Sequence, residues 1–167
     1  MVRDISEISE AVSWHIDRAA EKLRSQGSVA GAVYVFIQTN RFRPSDLQYN
    51  GGVVVPLPDV SDDTRSLTTV ALTGLRHIFR KGYQYKKCGV MLMELTVKAQ
   101  RQETLFDDVA ARERAAKTMA VMDSINRVWG RGTLRSGAAG GSKRWAMRSE
   151  NRSPRYTTQW EELPIAN

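Results

Sequence analysis

The residues of this 167-residue chain that invite chemistry are cationic and aromatic. Between Arg127 and Arg155, eight Lys and Arg residues stand against one acid, Glu150, and that surplus equals the net charge of +7 carried by the whole chain. Such a balance draws a protein to polyanions. Four of these cations, Arg144, Arg148, Arg152 and Arg155, are interleaved with Trp145, Tyr156 and Trp160, a pattern suited to neutralising phosphates and stacking on exposed bases. The same aromatics could instead pin the tail onto the chain itself through Met119, Met122 and Trp129. A second set, Arg41, Arg43, Tyr83, Tyr85, Lys86 and Lys87, falls at predicted strand ends or on one sheet face. Contacts from there would hold phosphates without reading base sequence. Solvated surface charge is the competing reading for each.

Other chemistries find little footing. Cys88 is expected to face the core from a strand, where a thiol behaves as a small hydrophobe. His15 and His77 fall on predicted helices without carboxylates at ligand spacing, so neither metal nor cofactor is expected on this chain. Gly130-Arg131-Gly132 lacks the preceding strand and the Gly-Lys-Ser/Thr ending of a phosphate loop and reads as a helix stop. No clustered acid–base constellation is found, and the chain is expected not to be an enzyme by itself. A single cysteine excludes an internal disulfide and suits a reducing cytosol. No apolar run approaches the roughly 20 residues that cross a membrane, and Met1-Val2-Arg3-Asp4 leads straight into a helical pattern without an export signal. A cytoplasmic protein with no membrane partner is expected.

These residues must be positioned by a small core, since 41% of the chain is hydrophobic and 26% charged. Ile5, Ile8, Val12, Ile16, Ala19 and Leu23 recur at three- and four-residue steps and predict a helix over 4–25, started by Asp4 with Glu7 and stopped by Gly27. Val, Tyr, Phe and Ile over 29–39 predict a strand. After a polar loop with Pro44, Gly51-Gly52 lead into a short strand, 53–55, stopped by Pro56 and Pro58. Ser61-Asp62-Asp63 cap a second helix whose inward stripe is Leu67, Val70 or Ala71, Gly74 or Leu75, and Ile78. Residues 83–97 read as one long strand, with Cys88, Val90 and Leu92 on one face and Lys87, Gly89, Met91 and Met93 on the other. The order implies an α+β fold, two helices on one face of a small antiparallel sheet. A third helix over 109–129 follows, with the stripe Ala115, Met119, Met122, Ile125 and Trp129. The Gly, Ala and Ser of 136–142 predict a flexible linker before the basic tail.

Three stretches give this chain a resemblance. Arg18-Ala19-Ala20-Glu21-Lys22-Leu23-Arg24-Ser25, Tyr83-Gln84-Tyr85-Lys86-Lys87-Cys88-Gly89-Val90-Met91-Leu92 and Ser153-Pro154-Arg155-Tyr156-Thr157-Thr158 resemble the C-terminal third of UmuC-type translesion DNA polymerases of the Y family, polymerase V and its plasmid-borne relatives. Val121-Met122-Asp123-Ser124-Ile125-Asn126 and Gly130-Arg131-Gly132-Thr133-Leu134 keep the same order. The likeness runs from about Asp4 to Trp160.

The resemblance implies a little-finger-like DNA-binding domain over 1–98, a linker over 99–108, and a C-terminal helix with a basic tail over 109–167. It implies a further strand ahead of the first helix, for which this chain begins too late, so an unfilled sheet position and reduced stability are expected. Gln102-Glu103-Thr104-Leu105-Phe106 resembles the sliding-clamp-binding pentapeptide of bacterial polymerases. Leu105 and Phe106 would fill an apolar pocket while Gln102 bonds at its edge, or else these residues anchor the joint onto their own core. Magnesium belongs, by the same resemblance, to palm carboxylates far upstream. The implied role is non-catalytic, gripping duplex DNA and tethering an error-prone polymerase of SOS mutagenesis and DNA repair to its clamp. The implied partners are DNA, the sliding clamp, the processed UmuD dimer and the recombinase filament. The alternative is a stand-alone interaction protein that competes for the clamp or UmuD.

Overall fold

The computed structural model describes residues 1–101, 108–141, 145, 153–154, 156–157, 159 and 163. The first helix, α1 (Ile5–Ser25), begins where Asp4 accepts the Ser6 amide at 3.0 Å, satisfying a donor that the first turn cannot. Its stripe of Ile8, Val12, Ile16, Ala20 and Leu23 is buried. Gly27 ends it with φ +64, a conformation open to glycine.

The central strand is β1 (Ser28–Thr39), flanked on one side by β2 (Asn50–Ser61) and on the other by β3 (Tyr85–Met93), all antiparallel. A two-residue strand, β4 (Thr96–Val97), pairs with the start of β1. Val33, Val35 and Ile37 of β1 are fully buried beneath α1 and α2 (Thr64–Ile78), which Asp63 caps by accepting the Arg65 amide at 2.9 Å. Leu67, Ala71, Gly74, Leu75 and Ile78 form the inward face of α2. The architecture is the expected α+β one, with both helices on one sheet face.

Two strands depart from expectation. β2 is far longer than 53–55 and runs through Pro56 and Pro58. It tolerates them because it lies at the sheet edge, with Pro56 opposite Ala32 and Pro58 falling where the register with β1 breaks between Ala30 and Ala32. The long strand over 83–97 is broken in two by Glu94, which takes φ +53. Gly31 makes the break possible, since a Cβ there would stand 2.7 Å from the Glu94 carboxylate. On the outer edge of β3, Val2 exchanges two backbone hydrogen bonds with Tyr85, at 3.0 and 2.8 Å, and no other described residue pairs there.

The third helix, α3 (Val109–Trp129), is capped by Asp108. Its stripe departs from the expected one at the end: Trp129 is 76% exposed, whereas Asn126 is buried. Gly130 and Gly132 turn the chain back so that the Asn126 amide bonds both the N–H and the carbonyl of Leu134, each at 2.9 Å, and its polarity is satisfied inside. α3 is fastened to α1 by Arg24, whose side chain is 8% exposed and grips Asp123 with two bonds of 2.7 Å. The other end of the guanidinium donates to the Asp62 carbonyl and to Thr64 Oγ1.

Part of the expected linker is folded. Residues Gly137–Ala139 form a 3₁₀ turn seated on α1, with Ala139 buried. Trp145 also packs, but on α1 through Trp14, ring centroids 5.5 Å apart, and not on α3. No described helix is long and apolar enough to cross a membrane.

Candidate nucleic-acid interface

The site begins with an irregularity in β3. Gln38 of β1 faces Lys87, but Thr39 faces Tyr85, so Lys86 is an extra residue with no partner across the ladder. A bulge of this kind reverses the in–out alternation on one side of itself. Tyr85 therefore turns inward instead of sharing the open face with Lys87. It is 2% exposed, with its hydroxyl donating to the Arg80 carbonyl at 2.9 Å and accepting the Arg80 amide at 3.0 Å. This corrects the placement of Tyr85 among phosphate contacts. Tyr83 lies half-buried against Tyr49, ring centroids 5.1 Å apart, and packs on the core. Both lysines, by contrast, stand exposed side by side.

The loop over 40–49 brings the arginines to the same end of the sheet. Its conformation is set by Gln48, whose amide donates to the carbonyls of Arg43 and Asp46 at 2.9 Å each and to that of Asn40 at 3.3 Å. Thr39 Oγ1 donates to Gln48 Oε1 at 2.9 Å and receives the Tyr49 amide at 3.0 Å, closing the loop onto the strands. Arg41 lies 5.7 Å over the Phe42 ring, itself 79% exposed, and Arg43 is exposed two residues on.

Between this loop and the start of β3 lies an open groove of about 400 Å³, lined by Gln38, Asn40, Arg41, Phe42, Gln48, Asn50, Lys86 and Lys87 together with Thr39 and Tyr49. Three cations and no carboxylate line it among the described residues. Apart from the Phe42 ring, the remaining lining groups are amides and hydroxyls, which pair with phosphate oxygens as readily as with each other. Phe42, Gln48 and Asn50 escaped the sequence reading, although the Arg41-Phe42-Arg43 alternation in a polar loop marks an exposed ring between two cations.

The open face of the sheet as a whole is not lysine-rich. The positions that β1, β2 and β3 turn away from the helices include Tyr34, Phe36, Gln38, Asn50, Gly52, Val54, Lys87, Gly89 and Met91, of which Lys87 alone is cationic. Cys88 faces the opposite way, half-buried against the core, and burial pushes its thiol up to about 11. His15 is held below its ordinary value by burial beside Trp14 and Trp145. Among the described residues no cluster of three or more His, Cys, Asp or Glu could hold a metal. Gln102, Leu105 and Phe106 lie outside the described residues, as do Arg144, Arg148, Arg152 and Arg155; the lead into the pentapeptide is tied down by an ion pair between Arg101 and Asp59.

A model of the impB/mucB/samB family C-terminal domain matches residues 1–105, and a domain of unknown function matches residues 116–166. The chain is similar to protein UmuC of Salmonella typhimurium strain LT2, 38% identical over 162 residues that make up 97% of this chain and 38% of that protein. It is 33% identical to protein ImpB of Salmonella typhimurium and 34% identical to protein MucB of Escherichia coli, in each case over 165 residues, 99% of this chain and 39% of the relative. The chain thus spans under two fifths of the length of the curated relatives it matches.

Proposed function

Because this chain belongs to the impB/mucB/samB family and matches it through the family's C-terminal domain, we propose that it is the DNA-gripping and clamp-tethering portion of a UmuC-type translesion polymerase that works in the cytoplasm. The observation that carries this reading is the groove lined by Arg41, Lys86 and Lys87 and, among the described residues, by no carboxylate. A duplex laid along it would be held by its phosphates and slide without regard to sequence, as copying a template requires. In this reading polymerisation belongs to residues outside this chain.

Salt dependence tests the grip. The logarithm of duplex affinity should fall linearly with the logarithm of salt, and Lys86→Ala with Lys87→Ala should lessen that slope by about 1 per lysine, since each phosphate contact releases about one counterion. A salt-independent curve, or an unchanged slope in the double variant, would sink the reading. Tethering rests on the Gln102–Phe106 sequence: Leu105→Ala with Phe106→Ala should abolish binding to purified sliding clamp, and unchanged affinity in that titration excludes it. The UmuD dimer and the recombinase filament remain partners by resemblance and are assigned no residues.

A further inference from the structure

Beside the basic groove, the centre of the open sheet face is aromatic. The Tyr34 and Phe36 rings are neighbours, with centroids 5.9 Å apart and planes 27° from parallel. Each reaches over a glycine on a different neighbouring strand. A Cβ at Gly52 would stand 2.4 Å from Tyr34 Oη, and one at Gly89 would stand 2.5 Å from Phe36 Cζ. Rings set so close to the backbone recline on the sheet, and a larger residue at either glycine would lift them. The patch is flanked by Val54 and Met91, 46% and 58% exposed, so solvent reaches it.

An apolar face of this kind on a chain of net charge +7 wants a partner with flat apolar surfaces and negative charge close together. The two features adjoin here: Phe36 pairs with Gly89, and two residues along the same strands Gln38 pairs with Lys87, a step of about 7 Å. Paired bases in a duplex have their faces covered by their neighbours and cannot use such rings. Unpaired bases can, because every base has a π-face, and stacking on an aromatic ring is tolerant of sequence.

We propose that Tyr34 and Phe36 form a stacking platform for unpaired bases of single-stranded DNA, whose phosphates lie against Lys87 and the adjoining groove. The platform rests on the nucleic-acid reading of that groove and extends it to a second form of DNA on the same sheet. Duplex would use the cations alone; a strand leaving the duplex would use the cations and the rings.

The test compares three fluorescent probes on the full chain by anisotropy: a thymidine 12-mer, a 12-mer of abasic sites with the same phosphodiester backbone, and a 12-base-pair duplex. The unaltered chain should bind the thymidine strand at least about tenfold more tightly than the abasic strand. Tyr34→Leu with Phe36→Leu, which keeps the face apolar, should erase that preference and leave duplex affinity within about twofold. Lys86→Ala with Lys87→Ala should weaken all three probes. Equal affinity of the unaltered chain for thymidine and abasic strands overturns the platform and needs no variant to be folded. Retention of the preference in a folded ring variant overturns it as well, as does self-association of the chain that the ring variant abolishes. Loss of duplex binding with the base preference intact would overturn the duplex grip while leaving the platform standing.

Discussion

Cys88 follows directly on Lys86 and Lys87 yet faces the other way, and its chemistry differs accordingly. Packed against the core, it has a thiol raised from 9.0 to about 11 because burial disfavours the thiolate. The neutral thiol is therefore the folded state's preferred form. Its contribution to stability is fully present below pH 9 and is lost as pH rises through 11. At pH 8 the thiolate fraction is about a hundredfold smaller than in the unfolded chain, so iodoacetamide should alkylate native Cys88 at least that much more slowly. Equal rates in native buffer and in denaturant would show the thiol to be open. The two lysines before it owe their joint exposure to the bulge, which no property of either residue announces.

At the scale of elements, the seam between α2 and β2 is set by Gly74. A Cβ there would meet Val55 Cγ2 at 2.9 Å and Val53 Cγ1 at 3.2 Å, with Val35 behind them. These are branched side chains in a packed layer, unable to move aside without disturbing β1. Gly74→Ala should therefore destabilise the protein by about 1–3 kcal/mol, the cost of overpacking, despite alanine's higher helix propensity. A chemical denaturation midpoint unchanged or raised by this substitution would mean that the seam has slack. Alternation within β2, with 53, 55 and 57 partly buried and 52, 54, 56 and 58 exposed, continues through both prolines. The hydrophobic pattern, not the absence of proline, therefore defines this edge strand.

Across the whole molecule, Arg24 is the joint between helices distant in sequence, since from α1 it reaches the N-terminus of α2 and Asp123 of α3, 99 residues away. Removing it leaves Asp123 facing a vacated, partly buried site, and Asp123 is itself 30% exposed, which lessens the penalty. Arg24→Ala should cost about 2 kcal/mol or more and free α3 from α1 and α2. Limited proteolysis should then cut between them faster, and an unchanged cleavage rate would argue that the remaining contacts suffice. The sequence by itself determined the two amphipathic helices α1 and α2, their caps, the two-faced strand around Cys88 and the bounds of α3, because hydrophobic period and capping act within a turn or two of chain. It also marked Arg41, Arg43, Lys86 and Lys87 as cations clustered by type. Only the tertiary structure decided that Tyr85 goes inside, that Asn126 replaces Trp129 at the end of the α3 stripe, that Trp145 settles on Trp14 and that two rings recline over Gly52 and Gly89. Each of these depends on the register between strands or on a contact between segments far apart in sequence, and one residue's shift in pairing exchanges the faces of everything beyond it.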